Sequence, residues 1–151
     1  MQKITPFLWF DKEAGEAAKF YHSVFPDSKI KSKEIVNNTP SGTIEIITIE
    51  LFGQDFMLMS AGPNFKINEA ISFIVNCKDQ EEVDHYWKAL SAHPKNEQCG
   101  WLKDKYGVSW QILPTVMNEL IAKDKSGRVV QEMLKMKKII IKDLEKAYEG
   151  K

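Results

Sequence analysis

Residues 53–60, GQDFMLMS, and residues 107–114, GVSWQILP, share one pattern: a turn glycine, a short spacer, then a strand. Gly53 falls on Gly107, Phe56 on Trp110, Met57 on Gln111 and Leu58 on Ile112. Further toward the N-terminus the match continues at a wider spacing. Phe7 falls on Phe73, Glu16 on Glu82, Ala17 on Val83, Phe20 on Tyr86, Tyr21 on Trp87 and Val24 on Leu90. An internal repeat of this kind sets the fold before any single element does. Each half reads strand–helix–strand–strand–strand, and the second half has the shorter middle.

The elements follow from periodicity. Ile4 to Phe10 is apolar and aromatic, with Pro6 confining it to an edge or a strand start. Glu13 to Phe25 places apolar residues three and four apart, which predicts a helix. Ser28 to Val36 reads as an exposed strand, Thr43 to Phe52 as a β-branched strand and Phe56 to Ser60 as its return. The second half gives a strand over Ile71 to Asn76, a helix to Ser91, and strands over Gln98 to Lys103 and Val108 to Leu113. Helices are expected over Val116 to Ala122, Val129 to Lys137 and Ile140 to Tyr148.

Composition narrows the function classes. The 151 residues are 43% hydrophobic and 28% charged, so one ordinary domain with a real core is expected and disorder is excluded. Lys plus Arg is 21 and Asp plus Glu is 21; the zero net charge lacks the basic excess of a nucleic-acid binder. The longest apolar run, Ile71 to Val75, is strand-sized, so no membrane span is expected. The start MQKITPFLWFDKE lacks the basic and apolar regions of a secretion signal. Cys77 and Cys99 do not form a disulfide framework and read as reduced thiols of a cytoplasmic protein.

The segments ITPFLWFD, EAAKFYHSVFPDSKI, ISFIVNCKDQEEVDHYWKALS and CGWLKDKYGVSWQILP resemble the PhnB-like branch of the vicinal oxygen chelate (glyoxalase/bleomycin-resistance/dioxygenase) superfamily. That branch is also labelled 3-demethylubiquinone-9 3-methyltransferase-like. The phrase G-W-x-x-D-x-x-G-x-x-W-x-I-x-P from Gly100 to Pro114 is the most specific part, and the tail RVVQEMLKMKKIIIKDLEKAY looks similar too, so that the likeness extends over essentially the whole chain. The resemblance implies an α+β fold of two βαβββ modules, residues 1–63 and 68–114, forming a curved mixed sheet around a cleft that a second chain often completes. Residues 115–151 then form a helical tail on a single domain.

The resemblance also says where chemistry should sit. Metal-using members draw His, Glu or Gln from the first and last strands of each half. Here those strands offer Ile4, Thr5, Pro6, Ala70, Ile71, Ser72, Met57 and Gln111. One amide, one thioether and short or apolar residues do not hold a divalent cation, so no metal is expected. His22 and His85 fall on helices and His93 in a loop. The methyltransferase label finds no support either: a nucleoside-bearing methyl donor wants a glycine-rich turn after the first strand. That turn reads Asp11-Lys12-Glu13, with Gly15 already inside the helix. No Gly-x-Ser-x-Gly occurs, Cys99 reads as a small apolar residue, and Asp104 reads as the residue that closes its turn. Glu45 and Glu50 alternate with isoleucines, one of them able to face the cleft.

What remains is an aromatic and sulfur-rich wall. The expected ligand-binding residues are Trp9, Met57, Met59, Trp101, Trp110 and Gln111, with Phe56 behind them and Ser60 as a further polar group. Strand parity, and hence which of these face the cleft, is open. The tail carries Val129, Val130, Met133, Leu134, Met136 and Ile139 to Ile141, an apolar surface that must pack on its own domain or on another subunit. The reading is therefore a homodimeric protein that binds a small organic molecule without a metal or cofactor, with no nucleic-acid or membrane partner and no assigned catalytic residue. The alternatives are a metal-dependent lyase, isomerase or dioxygenase of the same superfamily, and a structural or regulatory dimeric partner.

Overall fold

The computed structural model describes residues 2–151, and the chain divides into two compact units, one ending at Ile67 and one spanning Asn68–Lys151. In the first unit β1 (Phe7–Phe10) leads into α1 (Ala14–Val24), then β2 (Ser28–Thr39), β3 (Gly42–Leu51) and β4 (Gln54–Ser60). The sheet order is β1-β4-β3-β2, with β1 parallel to β4 and the other pairs antiparallel. β1 starts after Pro6 because proline has no N–H for the ladder; its carbonyl still accepts from Met57 N at 2.9 Å.

α1 lies on one face of this sheet. Ala14, Ala17 and Ala18 are wholly buried, and their small side chains bring the helix close to Ile47, Ile49 and Leu58. Tyr21 and Val24 complete the buried stripe at the three-and-four spacing that the sequence shows. The helix start takes no cap from Glu13; Ser60 Oγ accepts Ala14 N from the end of β4 at 3.0 Å instead.

The second unit contains β5 (Ser72–Cys77), α2 (Gln80–Leu90), β6 (Trp101–Lys103) and β7 (Ser109–Pro114), with sheet order β5-β7-β6. The glyoxalase-like α+β plan is present, but this half has three strands where the repeat predicts four. Residues 91–100 alone separate α2 from β6, and they hold a single 3-10 turn at Pro94–Asn96. β6 is also shorter than expected, because Cys99 and Gly100 adopt φ of 49° and 85° and turn the chain before Trp101. α2 is capped by Asp79, which accepts Glu82 N at 2.9 Å, while Glu82 accepts Lys78 N at 2.8 Å.

The tail forms α3 (Thr115–Lys123), α4 (Arg128–Leu134) and α5 (Ile141–Glu149). Met117, Val129, Met136, Ile139 and Leu144 make its own small core, with Leu113 from β7 packed against it. The tail thus buries its apolar side on the second unit. Among the described residues no helix is long and apolar enough to cross a membrane.

Candidate functional site

Strand parity sorts the six expected residues. In the first unit Phe7 pairs with Met57 and Trp9 with Met59, while Met57 pairs with Thr48 and Met59 with Ile46. Side chains alternate along a strand, so these six share the face opposite α1, and Leu8, Phe10, Phe56 and Leu58 share the helix face. Trp9 is locked there. Its Nε1 donates to Gly62 O at 2.8 Å, and Phe65 meets its ring edge-on with centroids 5.0 Å apart. The indole therefore presents apolar surface with its one donor already used.

Charges border this wall but cancel. Lys29 pairs with Glu50 at 3.3 Å, and Lys31 reaches Asp55 at 2.8 Å and Glu50 at 3.7 Å. The hydrogen bond to Asp55 holds the Lys31 ammonium above its ordinary pKa. Gln2 fixes the start of β4 by exchanging bonds with the Asp55 backbone, 2.8 and 3.0 Å.

Glu50 stands with Met57 and Thr48 on the face opposite α1. Glu45 and Ser60 lie on the helix side. Glu45 is paired with Lys33 at 2.6 Å, and a Cβ on Gly15 would stand 2.9 Å from its Oε1, so glycine there admits the carboxylate beside the helix start. A depression of about 280 Å³ opens at this end of the sheet, bordered by Asp11, Lys12, Ile35, Thr43, Glu45 and Ser60. Ser60 thus caps a helix and does not join the aromatic wall.

In the second unit Gln111 pairs with Trp101 and Ile74 on the face opposite α2. Its Nε2 donates to Ser72 Oγ at 2.9 Å. Trp110 faces the other way. It is 3% exposed, packs on Phe73 with centroids 5.5 Å apart, and donates Nε1 to Asp104 at 2.8 Å. Trp110 is thus a buried side chain under α2, on the face of its sheet opposite Trp101 and Gln111. Asp104, wholly buried, also accepts Tyr106 N at 2.8 Å and Val108 N at 3.0 Å. These bonds close the β6–β7 turn, as its sequence position suggests. The wall residue that the sequence reading passed over is Phe65, in a loop with no strand pattern to signal it.

Burial pushes the Cys77 thiol up to about 12, aided by Glu82 and Asp79. Cys99 Sγ accepts from Gln98 Nε2 at 3.2 Å. His22 shares a 3.0 Å hydrogen bond with Ser28 Oγ, and His85 stacks edge-on against Tyr86. Among the described residues no three His, Cys, Asp or Glu side chains gather where a metal ion could sit. Met57 and Gln111 do not fit a divalent cation, and no catalytic step is assigned to one. The turn after β1 does not fit a nucleoside-bearing methyl donor either, since the sheet is not an open parallel one and the turn is not glycine-rich.

The paired strand order and the helix–sheet layers define a glyoxalase-like α+β protein. A family model described as 3-demethylubiquinone-9 3-methyltransferase matches residues 2–113, and the chain belongs to that PhnB-like family. Among solved structures, a PhnB protein from Bacillus cereus, whose name also describes it as a 3-demethylubiquinone-9 3-methyltransferase, is 35% identical. The match covers 76% of this chain and 100% of that one, with a TM-score of 0.63. Protein PA1353 from Pseudomonas aeruginosa shares the fold at 19% identity and a TM-score of 0.56, over 76% of this chain and 98% of its own. A comparison with curated proteins finds no match. The family match ends within β7, before the helical tail begins.

Proposed function

We propose that this chain binds a small, flat, largely apolar organic molecule against the wall of Trp9, Met57 and Met59. One observation carries the reading: a strand face opposite the packing helix carries Phe7, Trp9, Ile46, Met57 and Met59, a set more apolar than a solvated sheet face needs. The indole N–H is satisfied internally, so a ligand need not supply an acceptor to it. The two methionines are polarisable and adapt to the outline of a ring. The lysines at the border are neutralised by Glu50 and Asp55, which favours a neutral ligand over an anion. In the second unit Gln111, beside Trp101, keeps its side-chain oxygen as an acceptor on the sheet face opposite α2.

Naphthol serves as a neutral flat probe. A ligand that binds only the folded state raises the unfolding midpoint, and the rise grows with the logarithm of its concentration above Kd. Naphthol should raise the midpoint of the parent protein and leave that of Trp9→Ala unmoved. Equal stabilisation of both proteins would overturn the assignment.

A further inference from the structure

We propose that residues 115–151 are an intramolecular brace that replaces the fourth strand missing from the second unit, and that this brace sets Trp101 opposite Gln111. The two units differ at one edge. In the first, β3 is flanked along its length by the twelve residues of β2. In the second, the corresponding strand is β6, three residues long, and beside it lies only loop chain: Ala92 N donates to Lys103 O at 3.0 Å, and Gln98 exchanges bonds with Trp101. So short an edge strand fixes its own register poorly.

The turn feeding β6 is held from the tail. Cys99 N donates to Met136 O at 2.9 Å and Gly100 N to Lys137 O at 2.8 Å. Gln98 Nε2 donates to Leu134 O at 2.9 Å, and Lys137 pairs with Glu97 at 3.3 Å. On its other side Gly100 O accepts Ile112 N at 2.8 Å, so the turn is bonded between tail and β7. Cys99 sits at positive φ without being glycine, a conformation that needs such outside support.

The brace is anchored in turn at the start of α2. Gln80 donates Nε2 to Ile139 O at 3.0 Å and accepts Ile141 N at 2.8 Å. Lys138 pairs with Asp84 at 2.7 Å. The chain from the last residue of α4 to the start of α5 thus gives four carbonyls, Leu134, Met136, Lys137 and Ile139, to the body of the unit, which is what an edge strand does. The family match ends at residue 113, so the brace lies beyond the part the family shares.

The link from Trp101 to ligand binding rests on the proposed function; the ordering of residues 98–103 does not. Native-state hydrogen exchange of the full chain in low denaturant separates the two. The amides of Cys99 and Gly100 should open together with those of Leu144 and Ile141 in the tail. In Gln80→Leu, which removes the two hydrogen bonds to the tail and a third to Asp84, their exchange should rise at least about ten-fold while the Leu58 amide is unchanged. Cys99 and Gly100 amides that stay protected after the tail amides have exchanged would overturn the brace, and that comparison needs no variant. In fluorotryptophan-labelled protein the Trp101 resonance should shift in Gln80→Leu and the Trp9 resonance should not. A Trp101 resonance unmoved while the Cys99 amide opens would refute the positioning claim. Naphthol binding tests only the ligand reading, so its failure leaves the exchange result standing.

Discussion

Asp104→Ala should be the most damaging single polar change in the second unit. The carboxylate is wholly buried and accepts three bonds, from Tyr106 N, Val108 N and Trp110 Nε1. Truncation strands all three donors. Val108 and Trp110 are almost fully buried, while the Tyr106 amide can turn toward water. An orphaned buried donor costs ~1–3 kcal/mol, so the sum is roughly 3–5 kcal/mol. That is a large share of the ~5–15 kcal/mol by which a domain is stable. Asp104→Asn keeps one oxygen for the backbone donors but sets an NH2 against the indole N–H, for about 2 kcal/mol. Urea unfolding followed by tryptophan fluorescence measures each loss. Trp110→Phe removes the clashing donor, so the Asn/Phe double variant should recover at least about 1 kcal/mol relative to additivity. A loss below about 1 kcal/mol for Asp104→Ala, or strict additivity in the cycle, would refute the account of this turn.

Gly100→Ala should cost about 2–4 kcal/mol, because φ is 85° and the new Cβ would lie 2.6 Å from Leu113 Cδ2 and 3.1 Å from Ile112 O; thermal unfolding reads it, and a neutral result contradicts the packing. Cys99 should react with a thiol reagent well before Cys77 in the native protein, and equal rates would disprove the burial. The pH dependence follows from the same burial. The Cys77 thiol ionises from 9.0 upward when unfolded and only near 12 when folded, so the unfolded chain loses its proton first. The contribution of Cys77 is complete below pH 9 and falls as pH rises toward 12; Cys77→Ala should lack that part of the slope in a urea series.

The order of strands and helices was legible because each element carries its own period, and α1 and α2 show their buried stripes at helical spacing. The missing strand was not. The repeat suggested four strands by analogy, whereas the chain between Leu90 and Trp101 is too short and turns at Cys99-Gly100. Trp9, Met57, Met59, Trp101 and Gln111 are expected from the strands they sit on, but the face each occupies depends on which side the helix covers. Trp110 shows the limit: one residue from Gln111, it points under α2 and serves Asp104. The tail's apolar content announced burial, yet which surface it covers depends on Gln80 and the 98–100 turn, far away in sequence.

Methionine-methyl NMR of the full chain titrated with naphthol tests the central claim most directly. Met57 and Met59 lie on the proposed wall, whereas Met117 and Met136 lie in the tail core with Met133 packed against it. Saturable shifts at Met57 and Met59, with Met117 and Met136 unmoved, are the predicted result. Unmoved Met57 and Met59 at saturation, or shifts confined to the tail methionines, would contradict a ligand face on the first sheet.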